Sequence, residues 1–129
     1  MKRGILLLAL YTISIIANCQ DKVNIQAQIS GYKPNDTINI DDFLDVGELS
    51  LNNNDYVIEG FGLDFIASGF FKEFTSNSNK FTDEMRSAIT DLKKRNMKVT
   101  KIFFEKIKVK SPQDKIMIIG GLLHVLRIK

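Results

Sequence analysis

The stretch from Phe81 to Val109 joins two incompatible periodicities, and that junction limits what the chain can fold into. Thr82 is a good N-cap, and Asp83 and Glu84 follow it where carboxylates oppose the positive end of a helix dipole. Met85, Ala88, Ile89 and Leu92 then recur at i, i+3, i+4 and i+7, one face of an amphipathic helix over about 82–95. Lys93, Lys94 and Arg95 crowd the last turn, and Asn96 is placed as a left-handed stop. From Val99 to Val109 the pattern becomes that of a strand. Ile102 and Phe104 share one parity while Ile107 and Val109 take the other, which predicts a bulge near Glu105–Lys106. One side of the helix must therefore lie on a sheet, and the rest of the chain has to supply that sheet.

The N-terminus is read as an export signal. Lys2 and Arg3 form a positive n-region, and Ile5 to Ala17 form an apolar run interrupted only by Thr12 and Ser14. That run is shorter than the ~20 apolar residues a membrane-spanning helix needs. Residues 1–19 are thus expected to be a signal peptide, possessing no packing role. Two cleavage patterns fit. Ile16-Ala17-Asn18-Cys19 resembles a lipobox, with Cys19 lipidated and the chain attached to a membrane. Signal peptidase cutting after Cys19 is the rival. Either way the only cysteine does not persist as a free thiol in an oxidising compartment. The location implied is the periplasm, or the outer membrane through a lipid anchor.

Residues 20–129 are one domain's worth of chain, and 44% apolar residues with nine Phe suffice for a single core. Without Lys2 and Arg3 the chain carries 16 basic and 15 acidic side chains, which gives no electrostatic case for nucleic acid. The distribution is more informative. Acids dominate from Gln20 to Ile66 and bases from Lys93 to Lys129. Acidic strands neutralised by basic neighbours explain this, and so does a dipolar molecule that docks on a partner or on its own copies.

Along the mature chain, Val23, Ile25, Ala27 and Ile29 alternate with polar residues as a half-buried strand. Thr37 to Asp41 is a second strand, Asp41 to Gly47 an irregular acidic segment, and Leu49–Leu51 a third strand. Phe61, Leu63 and Phe65 share a parity, and Gly60 and Gly62 beside them suggest a bulge or a close backbone approach. Phe70 to Thr75 should return across a Ser68-Gly69 turn as a hairpin. Strands over Lys115–Ile119 and Leu122–Ile128, parted by Gly120-Gly121, close the chain. About eight short strands with one inserted helix predict a mainly β fold, an antiparallel β-sandwich of immunoglobulin-like type.

No catalytic constellation emerges. His124 alternates with Leu122 and Leu126 and has no nearby partner for acid–base or metal chemistry, so it is read as structural. Asp41, Asp42, Asp45 and Glu48 lack the alternating spacing that wraps a loop around calcium, so they read as a solvated acidic loop. No Gly-x-Ser-x-Gly elbow and no phosphate loop is present. The chain is therefore read as non-enzymatic, with no cofactor and no metal site. The candidate interaction residues are Phe70, Phe71, Phe74 and Phe103. Consecutive phenylalanines on a strand face opposite ways, so Phe70 and Phe71 cannot enter one core together, nor can Phe103 and Phe104.

Tyr56-Val57-Ile58-Glu59-Gly60-Phe61, a glycine-bounded hairpin, Phe81-Thr82-Asp83-Glu84-Met85 opening a helix, and Lys101-Ile102-Phe103-Phe104-Glu105-Lys106-Ile107-Lys108-Val109 form an ordered series. Over about 56–129 that series resembles the C-terminal domain of the gliding-motility protein GldM. The resemblance implies a β-rich periplasmic module used for protein contacts in the envelope machinery of gliding and type IX secretion. Its partners would be envelope proteins or further copies of the chain. The alternative is a lipoprotein binding a small ligand or a cation around Asp41–Glu48.

Overall fold

The computed structural model describes residues 24–67, 69–95 and 97–129. The proposed signal peptide, Cys19 and the Asn96 stop lie outside the described residues. In chain order the elements are β1 (Ala27–Gln28), β2 (Thr37–Asn39), α1 (Ile40–Val46), β3 (Ser50–Leu51), β4 (Val57–Ala67) and β5 (Phe70–Ser76). They continue with α2 (Asp83–Asp91), a 3-10 turn over Leu92–Lys94, β6 (Val99–Lys110), β7 (Ile116–Ile119) and β8 (Leu122–Arg127). Strands make up 47% of the structure, so the fold is mainly β, with a six-stranded and a two-stranded sheet.

The large sheet runs β2-β8-β6-β4-β5. β6 is long enough for two short strands to share one of its edges: β8 pairs with Val99–Phe104 and β7 with Ile107–Lys110. All pairings are antiparallel except β2 with β8, which is parallel. The predicted bulge is present. Lys106 takes φ 51°, and the β4 register shifts opposite it, between Ile58, Gly60 and Gly62. The extra residue lets Phe104 and Ile107 face the same way, and both are fully buried. A Cβ at Gly60 would lie 2.8 Å from the Ser76 carbonyl oxygen, so the close approach anticipated at this glycine is what the backbone requires.

One face of this sheet is covered by α1, α2 and the β1–β3 ribbon. From the sheet come Ile38, Ile58, Phe61, Leu63, Phe65, Ile102, Phe104, Ile107, Val109, Leu122 and Leu126. Against them sit Met85, Ile89 and Leu92 of the helix and its 3-10 extension, with Ala88 half-buried at the margin. Thr82 caps α2 as its sequence implies, its hydroxyl accepting from the Met85 N–H at 3.1 Å. Phe43, Phe61, Phe81 and Phe104 form the centre of this core, with ring centroids 4.9–6.2 Å apart among the contacting pairs.

The described residues hold two helices, where one was expected. The segment read as irregular, 41–47, is mostly the helix α1. Seven residues are too few to declare a helix by periodicity, and such a helix is held by its ends and its packing. Asn39 accepts from the Asp41 N–H at 2.9 Å, and Gly47 closes the helix at φ 63° with its N–H on the Phe43 carbonyl. Arg86 of α2 donates to the Leu44 carbonyl at 3.0 Å, while Phe43 is driven into the aromatic cluster. Ile40, assigned to the second strand by alternation, starts this helix instead.

His124 is completely buried, and its Nδ1 donates to the Asp36 carbonyl at 2.9 Å, tying β8 to the turn before β2. Acidic and basic halves of the chain meet at Lys93–Asp41 and at Lys110–Glu59, 3.8 Å apart, both exposed enough to contribute little.

Truncating the shared ring of the aromatic cluster gives a direct check. Phe104→Ala should cost about 3–5 kcal/mol in urea unfolding, as large-to-small changes of a buried Phe do. A loss under about 1 kcal/mol would mean the four rings are not the packing centre.

Candidate functional site

Side chains of the large sheet that point away from the helices form a second face, left open by the described residues. Strand register fixes its rows. Phe71 of β5 stands beside Ile66 of β4, and Lys101 of β6 beside Val125 of β8. The next row is Glu73, Asp64, Phe103 and Leu123 across β5, β4, β6 and β8. Thr75, Gly62 and Glu105 form the third. Ile66 is 55% exposed, Phe71 63% and Phe103 40%, while Val99 is 54% exposed at the start of β6. Polar side chains alternating with buried apolar ones are what a half-buried sheet demands, yet this face carries aromatic and branched residues where polar ones are usual.

The four candidate phenylalanines divide between the two faces. Phe71 and Phe103 both belong to the open face. Phe70 and Phe74 have the opposite parity on β5. Phe74 is half-buried and stacks on Phe65 with centroids 5.8 Å apart, and Phe70 is 69% exposed beside the Gly69 turn. β5 is also the last strand of the sheet, so its outer backbone edge has no strand neighbour among the described residues.

At the centre of the open face lies an acidic cluster. One carboxylate oxygen from each of Asp64, Glu73 and Glu105 lies within 4.8 Å of the others, the sole such grouping among the described residues. Asp64 and Glu73 are direct cross-strand partners. Glu105 reaches them across Gly62, whose missing side chain leaves room: a Cβ there would sit 3.5 Å from Glu105 Cγ. Asp64 is only 6% exposed, and its Oδ1 is sealed from solvent without a hydrogen-bond partner. Burial above all pushes the Asp64 carboxyl up to about 6; its hydrogen bond to Glu105 and the charges of Glu105 and Glu73 add to this, while Lys106 opposes it.

Sequence reasoning placed its acidic candidate elsewhere. Asp41 and Asp42 occupy the first turn of α1, where they suit the helix dipole, and Asp41 pairs with Lys93. Glu48 accepts from the Asn79 amide at 3.1 Å. Their oxygens do not converge into a group of three. The signal for the observed cluster was a single charge, Asp64, inside the most apolar run outside the leader. Its partners are nine and forty-one positions away, and only strand register brings them together.

The raised Asp64 value has a definite sign in stability. Between about pH 4 and pH 6 the folded chain keeps a proton the unfolded chain has released, so stability falls as pH rises through that window. The full loss is on the order of 3 kcal/mol at 1.36 kcal/mol per unit. Asp64→Asn should abolish it: in metal-free buffer the variant's advantage over the natural sequence grows from pH 4 to pH 7 in urea unfolding. Parallel pH profiles for the two proteins would contradict this. Neither the protein-family models nor the curated proteins compared with this chain give a match.

Proposed function

We propose that this chain is an exported, non-enzymatic protein-interaction module of the bacterial envelope. It docks through the open face of the six-stranded sheet. The observation that carries this reading is the exposure of Ile66, Phe71, Val99 and Phe103 on the one sheet face that the described residues leave open. Isolated exposed apolar residues are ordinary, but several on one sheet face, interspersed with charges, are the pattern of an interaction surface. Lys101 and Arg127 toward one end of the face, with Glu73 and Glu105 in its central acidic cluster, supply charge contrast that would set the register of a partner. The free edge of β5 offers a second mode, strand addition, in which backbone hydrogen bonds supply affinity.

Export rests on the Lys2–Arg3 and Ile5–Ala17 pattern, and membrane attachment on Cys19. The sandwich assignment of immunoglobulin-like type is the architectural part of this proposal, supported by two β layers enclosing one core. The resemblance of residues 56–129 to the GldM C-terminal domain suggests gliding and type IX secretion components, or second copies of this chain, as partners.

Affinity purification from native envelopes tests the reading. The natural sequence should co-purify a defined set of envelope proteins or copies of itself, and Phe71→Ser/Phe103→Ser should lose them by at least about tenfold, the effect expected of hot-spot aromatics. Both positions are exposed, so the variant should unfold like the natural sequence. Undiminished capture by the folded variant would remove the open face from the proposal.

A further inference from the structure

We infer that Asp64, Glu73 and Glu105 form a binding site for a single calcium ion at the centre of the open sheet face. The inference does not rest on the docking proposal. An acidic cluster on a surface is commonplace, and Asp64 sets this one apart. Its carboxylate is more than nine-tenths buried, one of its oxygens lies within 4.8 Å of an oxygen from each glutamate, and Oδ1 has no hydrogen-bond partner. A buried carboxylate oxygen without a donor is costly unless something positive completes it. Lys106 on the neighbouring strand offers partial compensation from a distance, but it is exposed at the bulge and forms no ion pair with Asp64.

The donor set selects the ion class. Three carboxylates with no histidine or cysteine suit a hard cation and not zinc or copper. Three oxygens at most 4.8 Å apart lie at most about 2.8 Å from a common centre, a few tenths of an ångström beyond the ~2.3–2.6 Å calcium–oxygen range, so small side-chain rotations bring all three onto one ion without moving the strands. Magnesium, at ~2.0–2.1 Å, would need the cluster to contract and holds its own water more firmly. Exposed Glu73 leaves one side open for water to fill the remaining coordination positions. The geometry is fixed by the backbone: Asp64 and Glu73 are locked in register, and Glu105 is laid over Gly62 by the strand that ends in the Lys106 bulge.

The test is a titration of the purified chain with calcium chloride, followed by backbone amide NMR shifts. We expect saturable, one-site shifts centred on residues 62–64, 73 and 105, with a Kd between about 10⁻⁵ and 10⁻³ M, the span from sensor sites to weak extracellular modules. Glu73→Gln, a change at an exposed position, should weaken binding at least about tenfold, and Glu73→Gln/Glu105→Gln should abolish it while the spectrum stays folded. Asp41→Asn/Asp42→Asn should bind as the natural sequence does. The inference is overturned by no saturable shift up to about 10 mM calcium, tenfold above the weak end of that span. Shifts centred elsewhere, or binding retained by the folded double glutamine variant, overturn it equally.

Discussion

Four phenylalanine rings from four separate parts of the chain hold this fold in one piece. Phe61 and Phe104 come from the two central strands, Phe43 from α1, and Phe81 from the residue before the α2 cap. Each ring touches at least two others, and edge-to-face contacts of this kind add about 0.5–1.5 kcal/mol beyond area burial. The position of Phe81 also explains how the helix is aimed. Phe81 N–H donates to the Gly47 carbonyl, and Thr82 then caps α2, so one short stretch docks both the loop and the helix on the sheet. Because the cluster draws both described helices to one side, the described residues leave the other side of the sheet to its own side chains.

That asymmetry gives the two faces different chemistry. The buried polar groups of the covered face are each tied to backbone: His124 spends its Nδ1 hydrogen on the Asp36 carbonyl, Thr100 donates its hydroxyl to the Ile66 carbonyl at 3.0 Å, and Ser76 donates its own to the Lys80 carbonyl at 2.7 Å. The open face mixes Ile66, Phe71, Val99 and Phe103 with Glu73, Glu105 and Lys101 around the buried Asp64. Neighbouring bulk shields Asp64 from water although no second layer among the described residues lies over it, and that burial raises its affinity for a proton.

The sequence made the long-range features of single elements legible and left those created by pairing obscure. Thr82, Met85, Ile89 and Leu92 announced their helix, and the parity slip between Phe104 and Ile107 located the bulge at Lys106, because both signals lie within one contiguous stretch. α1 was hidden because two caps, an Arg86 contact and one buried Phe stabilise it, and none of those is periodic. The parallel β2–β8 pairing was equally invisible, since it joins Ile38 to Leu126 across nearly the whole described chain. The same limit applied to the acidic cluster: Asp64 is a single charge in an apolar run and was not singled out, because Glu73 and Glu105 become its neighbours only through register. Of the aromatic candidates, alternation rightly separated Phe70 from Phe71 and Phe103 from Phe104, yet which parity faced the core depended on where the helix packed.

The account stands on the division between a sealed face and an open one. Aromatic proton NMR with a soluble gadolinium chelate measures that division directly, since relaxation falls steeply with distance from solvent. Phe71 and Phe103 ring signals should broaden strongly as the chelate is added, while those of Phe43, Phe61, Phe81 and Phe104 stay sharp. Equal protection of all six rings, or broadening of the four, would contradict it.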